Sequence, residues 1–109
     1  IVVKTEAGFQ KVYYHQIECI EAQNKQLIIT LADGTEFRAH GTLSSLEKIL
    51  TCDMGFFKCH RSYLVYLPNV DHFNTTELLT KSGHCIPIAR SYSKTFKEAY
   101  FALMFQETF

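Results

Sequence analysis

The fold is organised around FFKCHRSYLVYL, residues 56–67, which lies almost at the centre of the chain. This stretch is apolar at both ends, where Phe56, Phe57 and residues 64–67 are expected to anchor it in a core. Its middle is polar and offers hydrogen-bond donors suited to a phosphate group or a base edge, from Lys58, His60, Arg61 and Ser62. We therefore predict a polar hinge held between two buried anchors, which is a suitable place for function.

The size and composition of the chain limit what it can be. With 109 residues it fits a single domain, residues 1–109, that buries a core without metals or disulfides. Hydrophobic residues make up 47% and charged residues 20%, and no apolar run approaches the ~20 residues that a membrane helix requires. The first residue is Ile1 rather than Met, so we expect a fragment of a longer chain.

Charge and cysteine content limit which binding partners the protein can have and in which cellular compartment it is expected. Lys plus Arg and Asp plus Glu both number 11, so any nucleic-acid binding must come from local clustering rather than from net charge. The four cysteines are far apart in sequence and form no CxxC pair, which favours reduced thiols in a cytoplasmic protein.

Upstream of the central stretch, the hydrophobic pattern predicts short antiparallel strands. Residues 1–5 and 9–14 are expected to form a first hairpin, and a strand from Ile17 lacks a clean polar face, which suggests cover on both sides. Asp33-Gly34 predicts a second hairpin with a type I′ turn, which needs positive φ at both central positions.

The remaining elements are two helices and the strands between them. Apolar residues at helical spacing over 43–50 predict a short helix capped by Thr42 or Ser44 and ending near Thr51. Three strands follow the central stretch, over residues 69–73, 77–80 and 84–89, and Pro87 is expected on a sheet edge. A final helix is expected from Ser93, with a frayed tail over residues 106–109. These patterns predict a mainly β fold of about ten antiparallel strands with two or three short helices.

Catalytic and metal-binding motifs are missing from the sequence. It contains no P-loop, GxGxxG, GxSxG or HExxH motif. Cys59 and His60 are neighbours on an extended chain, so their side chains point to opposite faces and cannot act as a dyad. The adjacent pairs Cys59-His60 and His84-Cys85 also lack the spacing that lets two ligands reach one zinc ion. We predict a protein that is not an enzyme and has no cofactor or metal.

Three basic residues are the candidates for nucleic-acid binding. Arg61 lies in the polar hinge, Arg90 ends a strand before the last helix, and Lys25 lies on a turn between strands. A side chain on a loop that a rigid sheet supports can enter a DNA groove, and Arg grips guanine or phosphate with two hydrogen bonds. Spacing alone favours solvated side chains or surface salt bridges at these positions.

Two separated motifs resemble one family of DNA-binding domains. Residues 56–65, FFKCHRSYLV, resemble the central signature of the LytTR DNA-binding domain, and residues 86–90, IPIAR, resemble that family's last strand. Ile20-Glu21-Ala22, the turn around Lys25 and the helix before Phe56 match in the same order. The resemblance implies an elongated arrangement of about ten strands in stacked antiparallel sheets. It also implies the effector domain of a bacterial response regulator, placed after a phosphorylatable receiver domain.

The resemblance also implies roles for individual residues. Arg90 takes the principal base-reading position, Arg61 the central contact to backbone or base, and the Asn24-Lys25-Gln26 turn the remaining groove contact. Ser62 and Lys58 are expected to bind phosphate, and His60 is expected to orient the hinge by hydrogen bonding, with direct DNA contact as the alternative. Where the family often has Ser before the last Arg and Arg after it, this chain has Ala89 and Ser91.

The expected function is sequence-specific DNA binding that controls transcription in a two-component regulatory system. Loop side chains would read successive major grooves of direct repeats in promoter DNA, with two copies bound side by side and pairing promoted by the phosphorylated receiver. The alternative is a β-rich interaction module that binds a peptide at a sheet edge. A disulfide between Cys59 and Cys85 is a weaker hypothesis than two reduced thiols.

Overall fold

The structure, a computed structural model, describes residues 1–107, with side chains through residue 104. Residues 106–107 of the tail that was expected to fray belong to the last helix, and residues 108–109 lie outside what is described. Within residues 1–107 there are ten short strands, in chain order β1 (Val2–Thr5), β2 (Gly8–Lys11), β3 (Ile17–Gln23), β4 (Gln26–Leu31), β5 (Glu36–His40), β6 (Phe56–His60), β7 (Tyr63–Tyr66), β8 (Val70–Phe73), β9 (Glu77–Thr80) and β10 (Cys85–Pro87). Two α-helices accompany them, α1 (Leu43–Glu47) and α2 (Ser93–Glu107), together with four single turns of 3₁₀ helix.

The strands form three antiparallel sheets. The largest has five strands in the order β5-β4-β3-β7-β6, a second has three in the order β10-β9-β8, and β1 pairs only with β2. The molecule measures 42 × 29 × 26 Å, so the mainly β, elongated architecture is confirmed. The predicted position of Pro87 is confirmed too, because β10 is an edge strand and lies in a ladder with β9 alone.

The central stretch folds into the β6–β7 hairpin, and its apolar ends anchor it on both faces of the large sheet. Phe56 is 1% exposed and packs 4.8 Å from the Tyr66 ring, whereas Phe57 packs 5.8 Å from the Phe96 ring on the other face. Gly55 turns the chain into β6 with φ of 95°, and a Cβ there would lie 3.2 Å from the ring of Tyr66. Glycine is therefore required at this turn.

Two hydrophobic cores lie on opposite faces of the five-stranded sheet, because successive side chains of a strand point to opposite sides. Ile20 and Leu64 join the core beneath α1, and their chain neighbours Cys19 and Val65 join the core beneath β8–β10 and α2. The expectation that the strand from Ile17 is covered on both faces is thus confirmed, since residues 17–20 are all buried.

The second hairpin is confirmed, but its predicted turn type is wrong. Only Gly34 has positive φ there, and Leu31 accepts a hydrogen bond from the Gly34 amide at 2.9 Å. The loop therefore has three residues, 32–34, and resembles a type I turn followed by a left-handed glycine. Asp33 accepts hydrogen bonds from the amide and the hydroxyl of Thr35, which stabilises this longer loop.

The two helices close the ends of the cores. Thr42 is the N-cap of α1, and its hydroxyl accepts a hydrogen bond from the Ser45 amide at 3.2 Å, which decides between the two candidate caps. The helix ends at Glu47, earlier than predicted, and a 3₁₀ turn over Cys52–Met54 leads to the central hairpin. Phe96 of α2 is 1% exposed and fills the second core, as the apolar spacing predicts.

Candidate nucleic-acid interface

Two turns lie side by side at one end of the five-stranded sheet, which we call the loop end. Glu21 of β3 pairs with both Ile28 of β4 and Tyr63 of β7 in antiparallel ladders, so the end of β3 and the starts of β4 and β7 lie at the same end of the sheet. The β3–β4 turn, Asn24-Lys25, and the β6–β7 turn, residues 61–62, are the connections at this end. A hydrogen bond of 2.8 Å from the Ala22 amide to the Ser62 carbonyl ties the two turns together.

The Asn24-Lys25 turn is the two-residue turn of the kind predicted for Asp33-Gly34. Both residues have positive φ, 48° and 64°, and Gln23 pairs with Gln26 across the turn. Asn tolerates the left-handed region, but Lys does so only at a cost of about 1–2 kcal/mol. Strained residues of this kind are concentrated at functional sites, and Lys25 is exposed at the tip.

Gln26 is held by a neighbour that no sequence motif identifies. Its side-chain oxygen accepts a hydrogen bond from Nη1 of Arg38 at 3.2 Å, and His40 pairs with it across β4 and β5. Arg38 and His40 are both exposed, and they extend the polar surface beside the Lys25 turn. The hairpin register identifies them, but that register depends on the three-residue loop at 32–34.

The polar hinge is a tight turn whose geometry depends on His60. The Ser62 amide donates a hydrogen bond of 3.1 Å to His60 Nδ1. Because a backbone amide can only donate, Nδ1 is the acceptor and the neutral ring carries its proton on Nε2. The His60 ring also packs edge-on against Tyr63 at 5.7 Å. These contacts favour the proposed orienting role of His60, and they leave Arg61 exposed at the tip of the turn.

Tyr63 and Glu21 form a pair beside the turn. Burial, followed by the charge and hydrogen bonding of the Glu21 carboxylate, raises the pKa of Tyr63 to about 12. The phenol keeps its proton at neutral pH and can donate it to the Glu21 carboxylate beside it. Glu21 is thus an acidic group close to the interface, whereas in the sequence it stands out only as part of the Ile20-Glu21-Ala22 motif.

Arg90 reaches the same end of the sheet by a different route. After β10 the chain runs beside the end of β6, where the Ala89 amide donates a hydrogen bond of 2.9 Å to the Cys59 carbonyl. Arg90 is the next residue, exposed, and it begins the 3₁₀ turn that leads to α2. Its neighbour across this bond, Cys59, is fully buried, and burial raises the pKa of its thiol to about 12. That protonated thiol is a core group, as predicted, and not a nucleophile.

The structure thus brings seven of the eight predicted contact residues to the loop end, in two turns and one strand extension. Lys58 is the exception, because its half-buried ammonium group pairs with Glu47 of α1 at 3.6 Å. The basic side chains at the loop end are Lys25, Arg38, Arg61 and Arg90. The opposite end, which we call the far end, includes the acidic side chains Glu18, Asp33 and Glu36.

The remaining cysteines and acidic or imidazole groups do not suggest another chemistry. Among the described residues all four cysteines are free; Cys85 is exposed, and its thiol donates to the Glu77 carboxylate at 3.0 Å. Within residues 1–107 no three His, Cys, Asp or Glu side chains are grouped so that they could hold a metal ion. In the same range no helix is both long enough and apolar enough to span a membrane.

Comparison with known proteins assigns this architecture to a family. The family model described as LytTr DNA-binding domain matches residues 8–101. A solved LytTr DNA-binding domain from Bacillus cereus superposes with a TM-score of 0.76 at 23% identity, covering 91% of this chain and 94% of that one. At this identity the likeness shows the fold.

Curated relatives are regulatory proteins. The chain is 29% identical over 103 residues to the sensory transduction protein LytT of Enterococcus faecalis, covering 90% of this chain and 42% of the relative. It is 27% identical over 100 residues to the transcriptional regulatory protein BtsR of Escherichia coli, covering 84% of this chain and 40% of the relative. The chain therefore spans about two fifths of the length of these relatives.

Proposed function

Because the chain belongs to the LytTr DNA-binding domain family, we propose that it reads a specific DNA sequence as part of a cytoplasmic response regulator that controls transcription. The family is one of DNA-binding domains rather than catalytic ones, which favours this function over the peptide-binding alternative. The observation that carries the proposal is the gathering of Lys25, Arg61 and Arg90 at one end of a rigid sheet. Loop side chains held in this way are suited to groove contacts.

The order of Lys25, Arg61 and Arg90 along the loop end supports different DNA contacts for the three residues. Neighbouring strands lie about 4.8 Å apart, so the centres of the two hairpins are separated by about 10 Å. Arg61 lies between the Lys25 turn and Arg90, because β6 and β7 are adjacent to β3 on one side and to the Arg90 segment on the other. We assign base reading in successive major grooves to Arg90 and the Lys25 turn, and the central contact to Arg61.

The dimensions of the domain and of B-DNA are compatible with this assignment. The groove pattern repeats every ~34 Å along B-DNA, and the longest dimension of the molecule is 42 Å. The molecule as a whole is therefore longer than this repeat, whereas the Lys25 turn and the Arg61 turn are only about 10 Å apart, so contacts in successive grooves depend on long side chains that reach outward from neighbouring turns. Ser62, Asn24 and Gln26 supply further polar groups at the loop end, and Lys58 would have to leave Glu47 before it could bind phosphate.

We further propose that two copies bind adjacent direct repeats and that an attached receiver domain controls their pairing. One relative, from Yersinia pestis, carries the name of a response regulatory protein and is 29% identical over 97 residues. A chain with zero net charge neutralises few phosphates, so a single copy is expected to bind weakly. A second copy on the neighbouring repeat raises the total affinity.

Substitutions at two arginines test the proposed roles. The DNA probe is a duplex enriched from a random-sequence pool by the unaltered domain, and binding is measured over a series of salt concentrations. Arg90→Ala should lose about 1–3 kcal/mol of discrimination at one base step, because a bidentate Arg–guanine contact is removed. Arg61→Ala should weaken binding to all sequences and reduce the slope of log K against log salt by about 0.9 for each phosphate that is no longer neutralised.

Lys4→Ala is the matched control, since Lys4 is an exposed lysine of the β1–β2 hairpin, outside the large sheet. It should bind DNA as the unaltered domain does. If Arg90→Ala and Arg61→Ala both behave like this control, the proposed interface is wrong.

A further inference from the structure

One buried acid remains outside the proposed DNA contacts. Glu18 is 0% exposed, and it lies where the β3–β4 register shifts between Ile17 and Cys19. Burying a carboxylate costs several kcal/mol unless hydrogen bonds replace its water. An apolar side chain of similar size would avoid this cost. We therefore expect the carboxylate of Glu18 to have a role beyond filling space in the core.

Both carboxylate oxygens of Glu18 accept hydrogen bonds from Ser82, which lies in a turn of the three-stranded sheet. The Ser82 amide donates to Oε2 at 2.8 Å, and the Ser82 hydroxyl donates to Oε1. His84 also contacts this site: its Nδ1 lies 3.1 Å from the Ser82 hydroxyl oxygen, and its Nε2 lies 4.0 Å from a carboxylate oxygen of Glu36. Ser82 lies in the β9–β10 turn, so these bonds join the three-stranded sheet to the far end of the large sheet.

Ser82 is also the start of the segment that ends at Arg90. We call residues 82–90 the arm; it contains β10 and carries Ile86 and Ile88, at 2% and 5% exposure, into the second core. At its other end the Ala89 amide is bonded to the Cys59 carbonyl of β6. Within its own sheet the arm is held by the ladder with β9 and by the Ile88 amide, which donates to the Thr76 carbonyl at 2.8 Å. Its directional bonds to the large sheet lie on β3 at the far end and on β6 at the loop end, where the Cys59 thiol also donates to the Pro87 carbonyl at 3.6 Å, with β7 between these two strands.

We propose that the Glu18–Ser82 contact is a clasp that sets where Arg90 stands relative to Arg61 and Lys25, which makes Glu18 a positioning residue for DNA reading. The inference rests on the proposed function. The bonds of the arm to β9 and Thr76 fix it within the three-stranded sheet but not that sheet on the large one. Apolar contacts of Ile86 and Ile88 with the second core tolerate sliding, whereas hydrogen bonds to both carboxylate oxygens of Glu18 fix the position and direction of the arm at the far end. A displacement of about 1 Å at Arg90 is enough to spoil a bidentate contact to a base.

Substitutions of Glu18 separate positioning from stability. Glu18→Leu removes both carboxylate oxygens that accept from Ser82 and puts an apolar side chain of similar size in the same buried position, so the domain should stay folded. Glu18→Gln is the matched control, because its amide oxygen can accept from the Ser82 amide while its NH₂ group donates to the Ser82 hydroxyl. We expect Glu18→Gln to read DNA as the unaltered domain does.

The readout is a scan of single base-pair changes in a duplex enriched from a random pool by the unaltered domain. Arg90→Ala and Lys25→Ala first identify the base pairs that each residue reads. Glu18→Leu should then show a preference about tenfold weaker at the Arg90 base pair, roughly the discrimination that one side chain supplies, and an unchanged preference at the Lys25 base pair. A folded Glu18→Leu variant with an unaltered profile at both positions overturns the inference.

A second variant and a second measurement keep the test decisive if Glu18→Leu fails to fold. Ser82→Ala removes one bond from an exposed position and should cause a smaller loss at the same base pair, which Ser82→Thr should restore. Residual dipolar couplings of the free domain should report a changed orientation of the three-stranded sheet in Ser82→Ala but not in Ser82→Thr. Unchanged couplings together with an unaltered base profile in Ser82→Ala would overturn the clasp.

Failure of the proposed function gives a different result. If the unaltered domain enriches no sequence and Arg90→Ala changes nothing, the proposed function is wrong, and the DNA-reading role of Glu18 falls with it. If the unaltered domain and Arg90→Ala behave as expected while the clasp variants match the unaltered domain, only the clasp is wrong.

Discussion

Lys25 combines an unfavourable backbone with an exposed charge. Its φ of 64° lies in the region that favours glycine, yet the residue is a lysine at the tip of the loop end. A residue selected only for folding would be Gly or Asn at this position. The side chain of Lys25 is thus better explained by contact with a partner than by the stability of the turn.

Lys25→Gly should change stability and binding in opposite directions. Removing the strain should raise the free energy of unfolding by up to about 1 kcal/mol, less the entropy that glycine adds to the unfolded chain. Loss of the charge should weaken duplex binding and lower its salt slope by about 0.9 if Lys25 meets a phosphate. Urea unfolding and salt-dependent DNA titration measure the two effects. Lys25→Asn is the matched control, because it removes the charge while asparagine tolerates the same φ. A Lys25→Gly variant that is less stable and binds DNA normally would contradict this account.

Single residues also mark the limit of prediction from sequence. Both turns were predictable from their composition, but Asp33-Gly34 carried the stronger signal for a type I′ turn and Asn24-Lys25 adopts it. The type depends on loop length, which the pairing of Gln23 with Gln26 and the bonding of Leu31 with Thr35 determine. Such pairing is a property of two strands together, so local composition does not reveal it.

Among the elements, the arm is the one that connects the core to the proposed interface. The segment was predictable as a strand with Pro87 on an edge, and Arg90 as a residue beyond its end. Its two attachments were not predictable, because Glu18 and Ser82 are 64 residues apart in sequence. A Glu within an apolar strand gives no indication of which distant donor it will meet.

Ala89→Pro tests the attachment at the loop end. Ala89 has φ of −66° and ψ of 144°, which proline can adopt, but the proline ring would replace the amide hydrogen that points at the Cys59 carbonyl oxygen 2.9 Å away. The substitution therefore removes this hydrogen bond and pushes the segment away from β6. The free energy of unfolding should fall by at least about 1 kcal/mol, and preference at the Arg90 base pair should fall with it. Thermal unfolding and the base-pair scan measure both. Pro87→Ala, on the same edge strand, is the control: it should lower stability slightly, because the unfolded chain gains conformational entropy, and leave the base preference unchanged. An Ala89→Pro variant that reads DNA normally would show that Arg90 does not depend on this bond.

Over the whole molecule, the sheet order determines which residues meet. Lys25, Arg61 and Arg90 are up to 65 residues apart in sequence, and the order β5-β4-β3-β7-β6 brings the two turns together. The strand count and fold class followed from local patterns, because short strands separated by turn residues are local features. The sheet order did not: predicted loop positions made these three residues candidates, and the family resemblance implied the role of each.

Binding to direct repeats is the prediction that belongs to the whole molecule. Two domains should occupy a duplex with two repeats, and scrambling one repeat should reduce affinity by about tenfold or more, because the linked contribution of the second copy disappears. Titration of a two-repeat duplex and of its scrambled partner, with stoichiometry from sedimentation, measures this. A duplex of equal length with both repeats scrambled gives the non-specific baseline. Equal affinity for the intact and the half-scrambled duplex would rule out paired binding.

The separation of charge between the loop end and the far end has a consequence for how the domain meets DNA. Lys25, Arg61 and Arg90 lie at the loop end and Asp33 and Glu36 at the far end, and Glu21 and Lys81 offset only part of this separation of charge in a molecule of zero net charge. In the field of a polyanion such a molecule feels little net attraction but a torque, which turns its positive end toward the duplex before contact. Rotation, rather than attraction over a long range, then determines which encounters are productive.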